Sequence, residues 1–183
     1  MMAAALTRRL LLLATLTAAG GAHAGDDDGL VEYQVKAAFV CKFGNYIEWP
    51  PQALGAAGEP FRIGVVGSAA VVEEFRRTAA ASSVAGRPVE VRRFARGEIP
   101  DGVHALFVSR GMASQAAGML AALQGRPVLT VTEFDPGGAM GMINFVVVDD
   151  KVRFDILLPL ATQSGLKISV RLLGVARRVE GRS

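Results

Sequence analysis

The pattern of apolar and polar positions separates a short leader from one long body. Leu10 to Ala19 form an apolar run of ten residues, well short of the roughly 20 needed to cross a bilayer. Arg8 and Arg9 precede the run, and Ala22-His23-Ala24 follow it. A positive segment, an apolar core and a small-x-small site together predict a secretory signal peptide, Met1 to Ala24, cleaved after Ala24. Thr7-Arg8-Arg9 has a faint twin-arginine look, but the Leu10 to Leu13 core favours the general secretion route.

In the body, Leu30, Tyr33, Ala37, Val40 and Cys41 recur at the spacing of one helical face. This predicts a helix running to about Tyr46 or Ile47, stopped by Pro50 and Pro51. Phe61 to Val66 reads as a strand, Gly67-Ser68 as a turn, and Ala69 to Ala81 as a helix with Val72, Phe75 and Ala79 on its buried side. Further strands are predicted at Val89 to Phe94, Ala105 to Val108 and Pro127 to Thr132, with a helix over 113–124. Met142 to Val148 and Val152 to Leu158 flank the compact polar turn Asp149-Asp150-Lys151 and read as an antiparallel hairpin. Pro159 opens a short helical stretch, Gly165 interrupts it, and Ile168 to Val179 is predicted as a last amphipathic helix. The expected fold is a single-domain α/β three-layer sandwich. Its sheet is mixed but mostly parallel, flanked by helices, with a C-terminal β-hairpin and helix. The 159 residues from Gly25 to Ser183 suit one domain.

Charge looks different once the leader is removed. The full chain has a formal charge of +3, but Arg8 and Arg9 leave with the signal, so 18 Lys+Arg then face 17 Asp+Glu. A near-neutral domain has no bulk electrostatic reason to coat nucleic acid or anionic membrane. Cys41 and His104 are the one cysteine and one histidine of the mature chain. An intramolecular disulfide is impossible, the usual zinc ligands are lacking, and no cofactor is expected. In an oxidising compartment Cys41 is either buried and inert or open to an intermolecular bridge; its apolar helical setting favours burial.

Candidate chemistry is sparse. Gly64-Val65-Val66-Gly67-Ser68 ends a strand and opens a helix, where an anion can sit on backbone N–H groups, but the dinucleotide and Walker spacings are absent and an ordinary turn is favoured. Gly137-Gly138-Ala139-Met140-Gly141-Met142 has no accompanying nucleophile motif, so it reads as a turn into a strand. His104, at a strand start, is expected to be structural. Glu133 and Asp135 are either a carboxylate pair near a strand's C-terminal end or two solvated acids. Lys167, Arg171, Arg177 and Arg178 give the predicted last helix a basic character, suiting either the helix end or an acidic partner. Glu48-Trp49-Pro50-Pro51 places the only Trp where the first helix stops, as a core cap or an interaction anchor.

Tyr33-Gln34-Val35-Lys36-Ala37-Ala38-Phe39, then Phe43 and Tyr46-Ile47-Glu48-Trp49-Pro50, resemble the opening helix of the YfiR-like periplasmic proteins. Phe61 to Gly67, Pro127 to Val131, Gly141 to Phe145, Val152 to Ile156 and Gly165 to Ser169 before Leu172-Leu173 agree in order. The resemblance implies a non-enzymatic α/β regulator of the periplasm that tends to dimerise. In the best-known type it binds the periplasmic domain of an inner-membrane diguanylate cyclase and holds it inactive, limiting cyclic di-GMP and biofilm formation. That type is redox-sensitive through disulfides, a switch this chain cannot build with Cys41 alone. It also departs from the family at Cys41 to Asn45, where a Tyr-Asn-Phe-Ala-Lys-like run is expected, and at Leu157, where Asn is common. The expected partner is an inner-membrane sensor or diguanylate cyclase, or a second copy in a homodimer. Its expected contacts are Asn45, Glu48, Trp49, Lys167 and Arg171, on the end of the first helix and on the last helix. The rival reading is a small-molecule binding module for sensing or uptake.

Overall fold

The computed structural model describes residues 24–135 and 138–181, without the side chains of 24–28. The expected signal peptide, up to His23, and the glycine-rich turn's Gly137 lie outside the described residues.

The first helix, α1 (Ala24–Gly44), ends earlier than the periodicity suggests. A Cβ on Gly44 would stand 2.6 Å from Val84 Cγ1, so the helix end is pressed against a neighbouring strand where only glycine fits without displacement. Turns from Asn45 N to the Lys42 carbonyl and from Tyr46 N to the Phe43 carbonyl unwind the chain. It then enters β1 (Ile47–Glu48). The alternation beyond gives β2 (Phe61–Val66), α2 (Ala69–Ala79), β3 (Ser83–Val84), β4 (Arg87–Arg93), β5 (Ala105–Val108), α3 (Ala113–Leu123) and β6 (Leu129–Thr132). The hairpin is β7 (Ile143–Val148) and β8 (Lys151–Leu157), followed by α4 (Leu158–Gln163), β9 (Lys167–Ile168), α5 (Val170–Val175) and β10 (Arg178–Glu180).

The predicted last helix, Ile168 to Val179, is corrected to the six residues of α5 between two short strands. Ile168 pairs with Ile47 in a two-stranded antiparallel sheet, and Arg178 pairs with Asp155 of β8 in parallel. Gly174 and the mixture of β-branched residues with arginine weaken a helix there, and the backbone hydrogen bonds of β8 offer a better alternative.

Eight strands form the main sheet in the order β10-β8-β7-β6-β5-β2-β4-β3. Strands β4, β2, β5, β6 and β7 run parallel; β8 turns antiparallel to β7. The register aligns Ile63, Ala105 and Leu129, and then Val131, Ile143 and Ile156. Because side chains alternate across a strand, those residues share one face. With Phe107, Phe145 and Phe154 they pack against Ala37, Val40 and Phe43 of α1 and Val72 and Phe75 of α2. Val66, Leu106 and Val108 point the other way, onto Ala116, Met119 and Leu123 of α3. The three-layer α/β sandwich is therefore observed. Farther along the second face the sheet turns polar, with Thr130, Thr132 and Asn144 buried beneath the connection from β6 to β7. Asn144 Oδ1 accepts from Thr132 Oγ1 at 2.8 Å and from Phe134 N at 2.9 Å, while its Nδ2 donates to the Phe134 carbonyl.

Candidate functional site

The end of α1 and the short helix α5 are brought together by backbone pairing. Ile47 and Glu48 lie opposite Ile168 and Lys167, and Ser169 N donates to the Tyr46 carbonyl at 2.9 Å. Ser169 then caps α5, its Oγ accepting from Leu172 N. Leu172 is buried, whereas Val170 and Val175 are 81% and 67% exposed. Between the helices lies a groove of about 300 Å³, with Phe39, Phe43, Phe154 and Leu172 inside and Lys42, Tyr46, Arg171 and Val175 around it. Its walls carry two cationic side chains and no acidic one. An apolar floor with a basic rim suits an apolar side chain flanked by acids.

The five expected contacts fall in or beside this region with different roles. Arg171 lines the groove. Glu48 and Lys167 face each other across the β1–β9 pair, 3.8 Å apart and both exposed, so the pair contributes little to stability. Asn45 holds the β3–β4 turn, donating to the Ser83 carbonyl at 3.0 Å and accepting from Ala85 N at 2.9 Å. Trp49 is half-buried: its indole N–H donates to the Gly44 carbonyl at 3.1 Å, and its ring meets Phe61 edge-on at 5.5 Å. Arg177 and Arg178 do not extend a basic helix. Arg177 pairs with Asp155, and Arg178 lies in β10 near Glu180. Sequence reasoning did not single out Lys42, Phe39, Phe154 or Val175 as lining residues.

A second polar centre sits at the carboxyl ends of β5 and β6. Glu133 is buried, not solvated, and Asp135 is exposed, so the two do not form a pair. Glu133 Oε1 accepts from Tyr33 Oη and Arg110 N, both at 2.8 Å, and Oε2 accepts from Lys36 Nζ and from Arg110 Nη2 at 3.3 Å. Lys36 also pairs with Glu32, which accepts from Arg110 Nη2 at 2.7 Å. Two acids and two bases thus close a neutral ring that ties α1 to the sheet. Burial, and next the Glu133 charge, push the Tyr33 phenol well above its ordinary range. Sequence reasoning did not single out Lys36; the signal that could have found it is a lysine on the apolar stripe between Tyr33 and Ala37.

The remaining motifs serve the fold. Ser68 caps α2, its Oγ accepting from Val71 N at 3.3 Å. A Cβ on Gly141 would lie 2.7 Å from the Thr130 carbonyl oxygen, so that glycine permits the close approach of the connection to β6. Cys41 is buried, and burial raises its thiol pKa. Among the described residues no cluster of three or more His, Cys, Asp or Glu is arranged to hold a metal, and no helix is long and apolar enough to cross a membrane.

Fold and groove together define a single-domain α/β protein with an apolar, basic-rimmed groove between α1 and α5, assembled from both ends of the chain. The sequence pattern of the YfiR/HmsC-like family matches residues 33–177, from Tyr33 on α1 to Arg177 before β10, and the chain belongs to that family. Its members are periplasmic regulators rather than enzymes, associated with control of diguanylate cyclases through an inner-membrane partner. No curated protein matches the chain.

Proposed function

We propose that this protein is exported with cleavage after Ala24 and acts in the periplasm by binding and repressing an inner-membrane signalling protein, a diguanylate cyclase. Repression lowers cyclic di-GMP and so biofilm formation. Membership of the YfiR/HmsC-like family across residues 33–177 carries this reading. The groove between α1 and α5 supplies its physical basis: Tyr46 and Val175 offer exposed apolar surface, and Lys42 and Arg171 supply charge that steers an acidic partner. Glu48 and Lys167 form the polar border, while Asn45 and Trp49 hold the end of α1 in place.

The test is recovery of a membrane sensor or cyclase by the tagged protein from its own cell membranes, read beside cellular cyclic di-GMP in a deletion strain. Recovery of a cyclase, with cyclic di-GMP rising on deletion, is expected. The double variant Arg171→Glu with Lys42→Glu should lose the partner while remaining folded, since both side chains are on the groove rim. No recovered signalling protein, together with unchanged cyclic di-GMP, overturns the proposal.

A further inference from the structure

The amino-terminal ends of β2, β5 and β6, at the opposite end of the sheet from Glu133, surround a separate cleft of about 350 Å³. His104 stands in its wall and is only 6% exposed. Its Nδ1 accepts the backbone N–H of Arg62 at 2.9 Å, which assigns the proton of the neutral ring to Nε2. Stacking on Phe61 at 5.0 Å, with Trp49 edge-on at 6.4 Å, fixes the plane of the ring. Among the described residues, Gln115 Oε1 is the only side-chain polar atom both sealed from solvent and without a partner. His104 Nε2 has no hydrogen-bond partner among the described residues either, yet is not one of the sealed atoms, so it keeps access to solvent, and His104 lines the cleft.

A second donor set stands beside it. The Arg62 guanidinium approaches Glu59 at 3.6 Å and Glu90 at 4.0 Å, both beyond hydrogen-bond length, and makes no side-chain hydrogen bond among the described residues. Arg126, across the cleft, is already engaged by Asp101 at 2.5 Å. Burial and the charges of Arg62 and Arg87 outweigh Glu59 and hold His104 below the ordinary imidazole pKa. That direction favours the neutral ring, on a cleft whose charged lining is Arg62 and Arg126 against Glu59 and Asp101. Val103, Pro127 and Val128 supply apolar wall.

We propose that this cleft binds a small organic carboxylate, one oxygen accepting from His104 Nε2–H and the carboxylate engaging the Arg62 guanidinium in place of Glu59. A planar anion matches the fork of an arginine better than a halide does. The volume lies at the small end of ligand pockets.

Sodium acetate and sodium propionate, titrated at ionic strength matched with sodium chloride into the His23→Gln protein, would be read on the imidazole carbon-bound proton resonances of His104. Saturable shifts with the carboxylates and none with chloride are expected. Arg62→Gln keeps the backbone bond to His104 and should weaken binding about tenfold, the loss of a charge-assisted hydrogen bond. Glu59→Gln removes the competitor for Arg62 and should tighten binding. Equal shifts with chloride, unchanged affinity in Arg62→Gln, or weaker binding in Glu59→Gln would each overturn the proposal.

Discussion

Replacing Lys36 with Met would test whether the ring of charges around Glu133 behaves as one unit. Met matches the lysine stem in volume, so the perturbation is chiefly the loss of Nζ, which is paired with both Glu32 and Glu133 and lies 5.1 Å from the Tyr33 ring centroid. The Lys36 and Glu133 side chains are each 1% exposed, so the change leaves a buried carboxylate short of one counter-charge. Removing one partner of such a pair costs about 3–5 kcal/mol. Glu133 retains Tyr33 Oη, Arg110 N and Arg110 Nη2 as donors. Those three place the expected loss near the lower bound, about 3 kcal/mol, or a fall in Tm of about 6–12 °C for a domain of this size. Urea unfolding of the wild type, Lys36→Met, Glu133→Gln and the double variant closes the thermodynamic cycle. The double variant should be about 2 kcal/mol more stable than the summed single losses allow, because removing both charges leaves neither stranded. Additivity within about 0.5 kcal/mol, or a Lys36→Met protein as stable as the wild type, would refute the reasoning.

Four further outcomes follow from the geometry. The folded-state pKa of His104 is depressed, so the unfolded chain binds the proton more readily; stability should fall as pH drops from about 7 toward 5, and His104→Gln should flatten that dependence in urea titrations. Ala85 sits at φ 48° in the β3–β4 turn, where a Cβ is unfavourable, so Ala85→Gly should raise the unfolding free energy by about 1 kcal/mol in urea titrations. Gly141→Ala, forced against the Thr130 carbonyl, should cost about 1–3 kcal/mol by thermal melting. Cys41, buried and with its thiol pKa raised, should react with a maleimide only at the rate of unfolding, read by mass spectrometry with and without denaturant.

The central strands were legible because their signals are local and redundant. Phe61 to Val66 and Ala105 to Val108 are short apolar runs bounded by turn residues, and both match the observed strands residue for residue. The hairpin was equally plain, since Asp149 and Asp150, at φ 50° and 55°, occupy the left-handed positions that a two-residue turn between twisted strands requires. The two ends of the chain were harder because each completes the other. Ile47-Glu48 and Lys167-Ile168 are too short to announce themselves as strands, and each exists by pairing with a segment far along the chain, Ile47 with Ile168 and Glu48 with Lys167. The same long-range pairing decides where α1 stops and how short α5 is. Glu133 was visible as a candidate at the C-terminal end of a strand, but no local pattern tells that its partners come from Tyr33, Lys36 and Arg110.

That long-range closure also bears on how the groove between α1 and α5 is kept. Its apolar floor combines Phe39 and Phe43 of α1, Phe154 of β8 and Leu172 of α5, so no single segment can form it alone. Phe43 meets Phe154 edge-on at 4.9 Å and stacks near Phe145 at 5.8 Å, which anchors the floor in the main core. The rim is held differently, by the exposed Glu48–Lys167 pair and two short strands, elements that contribute little individually. Floor and rim are thus held by different means, aromatic packing below and short backbone pairing above. With a single cysteine, and that one on the buried face of α1, no intramolecular disulfide clamps this rim. Backbone pairing between β1 and β9 is therefore what holds it.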